Sequence, residues 1–181
     1  MALFGRRRRL PDELRPPLDR DERVVAWTAV AGKPGAVVAT NLGLWLPDPS
    51  TPDGPPGRLG WHEIHKAVWT GEALAVTAAR NVESGPGYDV VADAPTVQYR
   101  LTDPGDLPAQ VRARVTRSVG PSTHHPLPGS GGVRVVARRV PGVDGLRWTA
   151  RYDPGVDHDD PIVRETTAAL VDQAAAQVLG P

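Results

Sequence analysis

Proline and glycine cut this chain into short pieces, and that limits what it can fold into. There are 20 Pro and 19 Gly among its 181 residues. Proline removes a backbone donor and glycine raises the entropy cost of regular order, so long helices are confined to the few uninterrupted stretches. Between the breaks lie segments of strand length, rich in β-branched and aromatic residues. The expected fold class is therefore α+β and mostly β.

The segments can be read in order. Residues 1–21, with Arg6-Arg7-Arg8-Arg9 and Pro16-Pro17, read as a mobile arm rich in Arg and Pro. A strand is expected over Val24 to Val30, ended by the turn Gly32-Lys33-Pro34-Gly35. Ala36 to Leu46 reads as one long strand, because Gly43 and the absence of a polar face argue against a helix. A proline-rich loop over 47–57 follows. Further strands are expected at Arg58 to Trp61, Ile64 to Trp69, Ala73 to Ala78 and Thr96 to Leu101, with a bend at His62-Glu63. Short strands at such spacing indicate a barrel or sandwich.

The period then changes. Leu107, Val111, Val115 and Val119 recur four residues apart, which predicts a helix capped by Asp106 and ended by Gly120-Pro121. One apolar stripe on a single helix after a strand-rich region implies that it lies against the sheet. His124 to Gly132 reads as a flexible loop. Val133 to Val140 and Leu146 to Tyr152 form a hairpin around Pro141 to Gly145. Asp160-Pro161 opens a last helix through Leu179, with Val163, Leu170, Val171, Ala174 and Val178 as its apolar stripe. This ββα extension, residues 121–181, is too small to stand alone, so it is expected to share a core with residues 22–120.

The order of elements in 22–120 resembles a pleckstrin-homology-like domain, of the kind grouped with GRAM and bacterial PH domains. Val38-Ala39-Thr40-Asn41-Leu42-Gly43-Leu44-Trp45-Leu46 looks like the strand in which such domains carry Thr-Asn, a basic residue and then Leu. Leu59-Gly60-Trp61-His62-Glu63-Ile64-His65-Lys66-Ala67-Val68 looks like the next. The resemblance implies a PH-like bent antiparallel barrel closed by its C-terminal helix, and a binding or membrane-targeting role. Gly43 stands where the basic residue usually falls, which removes one contact for an anionic ligand. The ββα extension looks like that of uncharacterised actinobacterial proteins. Arg also far outnumbers Lys, which occurs only at 33 and 66, as in high-GC bacterial genomes.

Charge comes in alternating blocks. Residues 1–10 sum to +4, 11–99 to −5 (seven basic, twelve acidic), 100–140 to +5 (seven Arg, two Asp) and 141–181 to −4 (three basic, seven acidic). The blocks cancel, so pairing within the fold is expected, and an uncompensated nucleic-acid footprint is not. With no Cys in the sequence, disulfides, thiolate nucleophiles and cysteine-held metals are excluded. No apolar run approaches the roughly 20 residues that span a bilayer. The opening Arg run lacks a following hydrophobic region, so no secretory signal is expected and the chain reads as cytoplasmic.

Several motifs invite chemistry. In His62-Glu63-Ile64-His65 the histidines are three apart in a strand-like region, whereas a zinc-binding H-E-x-x-H needs them four apart on a helix. Asp153, Asp157, Asp159 and Asp160 lack calcium-loop spacing and suit a helix N-terminus. His124-His125 has no nucleophile at a recognised spacing. Gly129, Gly131 and Gly132 precede a strand with no Lys-Ser/Thr after them, so phosphate-loop logic fails. Most of Trp27, Trp45, Trp61, Trp69 and Trp148 are expected in the core. These readings point to a non-catalytic binding or adaptor module with no cofactor and no metal. Its expected partner is another protein, or weakly the anionic inner membrane through Arg6, Arg7, Arg8 and Arg9. The alternatives are a small hydrolase or ligand-modifying enzyme at the histidine loop or acidic turn, and a nucleic-acid-associated protein using the Arg-rich 100–140 segment.

Overall fold

The computed structural model describes residues 9–51, 54–129 and 131–179. It is mostly β with two α-helices. The first sheet is an antiparallel meander of β1 (Val24–Ala29), β2 (Ala36–Thr40), β3 (Gly43–Leu46) and β4 (Gly57–Gly60). The second sheet begins with β5 (Ile64–Trp69), β6 (Ala73–Ser84), β7 (Asp89–Asp93) and β8 (Val97–Arg100). β6 pairs with β8 through Ala73–Val76 and with β7 through Ala79–Ser84, both antiparallel. β7 and β8 therefore act as one strand interrupted at Pro95, which has no N–H for the ladder. Leu101 bridges Val30, and the Ala31 N–H donates to the Arg100 carbonyl at 2.8 Å, so the two sheets join beyond β1 and β8.

α1 (Leu107–Ser118) packs against β5, β1 and the single turn Trp61–Glu63. Leu107 and Val111 are completely buried among Val37, Leu44, Ile64, Leu74 and Tyr99. Side chains of this size contribute roughly 1.5–3 kcal/mol each on full burial. Val115 is only half-buried, and Val119 has left the helix for the next strand. Asp106 makes no capping bond to the backbone; its carboxylate meets Gln110 Nε2 at 3.4 Å.

The extension adds β9 (Val119–Pro126), β10 (Gly132–Arg138), β11 (Arg147–Tyr152) and α2 (Pro161–Leu179). β11 pairs parallel to β7, so the second sheet runs β5-β6-β7-β11-β10-β9. The expected shared core is replaced by a shared sheet. The extension has its own apolar cluster, with Val133, Val135, Trp148 and Ala150 under Val163 and Val171 of α2. The Tyr152 hydroxyl donates to Thr167 Oγ1 at 3.0 Å, and Thr167, fully buried, donates to the Val163 carbonyl at 2.8 Å. Val178, expected on the apolar stripe, is exposed.

Four further segments differ from expectation. His124 and His125 lie on β9, an edge strand, where Pro121 and Pro126 are tolerated because one side needs no ladder bonds. β7 was not expected, and β6 runs on to Ser84 instead of ending near Ala78. Ala36 to Leu46 is a hairpin, not one strand. Its turn is held by the Thr40 hydroxyl, which accepts the N–H groups of Leu42 at 3.1 Å and Gly43 at 3.0 Å. Residues 9–21 do not stand away from the body as an arm. Leu10, 4% exposed, packs with Leu14 and Leu18 over Trp27, Ala36, Val38 and Trp45. Those residues make the outer face of the first sheet apolar, and the N-terminal segment covers it.

Candidate functional site

Opposing turns and the β8 strand build a cavity of about 240 Å³ near the edge where the two sheets join. One wall is the β1–β2 turn with Val30, Ala31, Lys33 and Pro34; another is Pro47-Asp48-Pro49 after β3; β8 supplies Gln98, Tyr99 and Arg100. Gly32 and Gly35 take positive φ angles of 70° and 106°, which a side chain would resist, and the Val30 N–H donates to the Gly35 carbonyl at 3.1 Å. Asp48 shapes the second wall by accepting the Ser50 N–H at 2.8 Å and the Ser50 hydroxyl at 2.6 Å, which hold its carboxyl below the usual range. The Tyr99 ring is buried in the apolar core beneath α1. Burial first, and then the charge of Asp48, push its phenol up to about 12. It is therefore a neutral hydroxyl at physiological pH. Lys33 and Arg100 are exposed, and neither has a carboxylate partner among the described residues.

On the outer face of the first sheet sits a buried carboxylate. Glu22 accepts from Thr40 Oγ1 at 2.5 Å, Trp45 Nε1 at 2.9 Å, the Asp19 N–H at 3.2 Å and Arg58 Nη1 at 2.7 Å. Burial pushes its pKa up, but these four donors outweigh that and the net shift is downward. Arg58 also reaches Asp19 at 2.6 Å and lies 5.5 Å from the centre of the Trp45 ring. Asn41 ties the same segment down: its Oδ1 accepts the Arg23 N–H at 2.6 Å and its Nδ2 donates to the Asp21 carbonyl at 3.1 Å. The Thr40-Asn41 pair thus fixes the chain entering β1. A Cβ on Gly43 would stand 2.4 Å from the Leu59 carbonyl, so glycine is there for close approach of β4.

A third cluster lies where β11 of the extension pairs with β7. His65 on β5 meets Asp93 of β7 at 2.7 Å, and Asp93 also pairs with Arg151 of β11 at 3.1 Å. Arg147 pairs with Asp89 at 3.1 Å. His62 and His65 are both held below the usual imidazole range, chiefly by burial. His62 sits in the Trp61–Glu63 turn, so the two rings occupy different elements.

The residues singled out from sequence are distributed as follows. Arg6, Arg7 and Arg8 lie outside the described residues; Arg9 is exposed beside buried Leu10. His124 meets Asp153 at 2.9 Å on the surface. Asp160 accepts the Ile162 N–H at 2.8 Å at the start of α2, and Asp159 pairs with Arg164 at 3.3 Å. Among the described residues no three His, Cys, Asp or Glu side chains gather as a metal site. Trp45, Trp61 and Trp148 are buried, in three different clusters. Lys33, Tyr99 and Arg100 form no motif in the sequence; their one local signal is a Gly-Lys-Pro-Gly turn carrying one of only two lysines. No described helix is long and apolar enough to cross a membrane. No family model matches the chain, and neither curated proteins nor solved structures yield a match.

Proposed function

We propose that this chain is a non-catalytic binding module whose first lobe is PH-like. The four-stranded sheet β1–β4, the three strands β5, β6 and β8, and α1 packed into their common core support that reading. The observation that carries it is the cavity between the β1–β2 turn and the 47–49 segment. It has a largely apolar lining, a buried phenol, the Asp48 carboxylate held by Ser50, and two cations, Lys33 and Arg100, that have no carboxylate partner among the described residues. Such a site favours an acidic surface: an anionic membrane leaflet or an acidic protein segment. Arg6 to Arg9 add a second basic element to the same molecule, each contributing on the order of 1 kcal/mol near an anionic surface. Four charges give a weak, salt-sensitive attachment and not a stable anchor. The module would work in the cytoplasm and associate peripherally with the inner membrane.

Co-sedimentation with vesicles of one-third anionic lipid (about 30%) at low salt tests this reading. Wild type is expected to sediment and to release as ionic strength reaches physiological values. Arg6 to Arg9 replaced by Ser is expected to bind several-fold less, and Lys33→Glu with Arg100→Glu to abolish the remainder at unchanged melting temperature. Equal sedimentation of all three proteins would remove both basic elements from the function. No sedimentation of wild type would turn the proposal to an acidic protein segment alone.

A further inference from the structure

The positive block of residues 100–140 is not neutralised where three of its arginines meet. A cavity of about 260 Å³ lies between the C-terminal end of α1 and the β2–β3 turn. Asn41 and Trp61 form one side of it, Arg114, Arg117 and Ser118 of α1 another, and Arg139, just after β10, a third. No Asp or Glu is among the lining residues. The block's own acids, Asp103 and Asp106, precede α1, which puts Asp106 roughly 16 Å from Arg117 along the helix axis. Glu63, in the turn that carries Trp61, is engaged with the Gly60 N–H at 2.6 Å. Asp21, tied to Asn41 through its backbone carbonyl, forms no ion pair with any of the three arginines.

The fold holds two of these arginines in place and leaves charge over. Arg114 Nε and the Trp61 indole N–H both donate to the Thr40 carbonyl, each at 3.2 Å. Arg114 Nη1 donates to Gln110 Oε1 at 3.1 Å, and its guanidinium lies 6.0 Å from the centre of the Trp61 ring. The Arg139 N–H donates to the Ser118 carbonyl at 2.8 Å, and its Nη1 covers the carbonyls of Arg117 and Val119 at 3.3 and 3.0 Å. That one side chain answers the negative end of α1. Arg117 and Arg139 are both exposed, and neither has a carboxylate partner among the described residues. The Arg117 guanidinium makes no hydrogen bond there either. Guanidinium groups do not give up their proton in proteins, so the cavity keeps its positive lining at any working pH.

We propose that this cavity is an oxyanion site that takes the phosphate or diphosphate group of a small soluble molecule. Guanidinium forks match phosphate oxygens with paired, charge-assisted bonds. Three of them around one cavity favour an anion of two or more charges over a single carboxylate. The volume falls just below the roughly 300–1,000 Å³ of ordinary ligand pockets, which leaves room for such a group and little more. Asn41 follows β2 and Lys33 precedes it, so this site stands at the opposite end of that strand from the cavity lined by Lys33 and Arg100. Neither site depends on the other.

The test is calorimetric titration of the full chain with sodium pyrophosphate, and with sodium acetate at equal ionic strength. Wild type is expected to bind pyrophosphate in a saturable way and acetate not at all over the same range. Arg117→Gln, which removes no contact within the fold, is expected to bind several-fold more weakly. Arg117→Gln with Arg139→Gln is expected to bind at least about tenfold more weakly. Lys33→Glu with Arg100→Glu is expected to bind as wild type does. A second readout needs no variant: amide resonances of residues 114–118 and 139–141 in wild type should move with pyrophosphate, and those of 31–35 should stay fixed. Equal affinity in wild type and both glutamine variants would overturn the site, as would no saturable binding or equal binding of acetate. If the double glutamine variant loses vesicle sedimentation while wild type binds no pyrophosphate, the arginines serve a lipid surface and the soluble ligand is ruled out.

Discussion

Two charged side chains are buried to almost the same degree in this molecule, and their surroundings are opposites. Glu22 is 6% exposed and Arg138 7%. Four donors from three different parts of the chain converge on Glu22. Arg138 has one long contact with a hydroxyl. A buried charge whose every lone pair is used is part of the architecture, and its removal breaks what it holds. A buried charge left nearly alone gains little against its desolvation and contributes nothing comparable to the fold. The comparison separates a charge that ties three segments together from one that ties almost nothing.

The largest effect should come from making an unpaired charge where none exists. Val111→Asp puts a carboxylate into the fully buried apolar contact between α1 and the sheets beneath it. A loss of about 4 kcal/mol or more is expected in urea unfolding. Val115→Asp, at a half-buried position on the same stripe, should cost much less. Equal costs would mean that α1 is rotated from the orientation described.

Next comes Glu22→Ala. It strands the Trp45 indole N–H and leaves Arg58 with only Asp19, so about 2–3 kcal/mol should be lost. Its pH dependence follows from the depressed carboxyl. The folded pKa lies below the ordinary 4.5, so the stabilisation is complete above that value and is lost as pH falls through the folded pKa. Wild type and Glu22→Ala should converge in stability in that acid range. A constant difference down to full acid unfolding would show that the carboxylate is not the charged partner of Arg58.

A smaller effect concerns His62 and His65. For both, burial and the arginines nearby outweigh their acidic neighbours Glu63 and Asp93, and the folded pKa falls below the ordinary 6.5. The unfolded chain then binds protons more readily, so stability should fall as pH drops below 6.5. Replacing both residues by Gln should flatten that limb of the profile. An unchanged slope would place its origin elsewhere.

How much of this was legible in the sequence follows the same division between local and distant causes. Both α-helices and the β10–β11 hairpin are written in local periodicity and turn residues, and they fold where those signals lie. β9 was hidden by Pro121 and Pro126, because proline reads as a break unless the strand is known to be an edge. The β2–β3 turn was hidden because Asn41 and Gly43 are split by Leu42 inside an apolar run, and it is the Thr40 hydroxyl that closes it. Leu10, Leu14 and Leu18 did carry an apolar period of four, but the prolines around them masked it. The clusters were the least legible. Glu22 and Arg58 are 36 residues apart, and Arg138 meets Ser118 across 20, so no local pattern announces either.

The most direct test of the functional reading is an amide-shift map of the full chain with small anionic lipid bilayers added. Shifts are expected to gather at residues 31–35, 47–50 and 98–100, around the cavity lined by Lys33 and Arg100. Shifts confined to α2 and β9, or none at any lipid concentration where wild type sediments with vesicles, would contradict it.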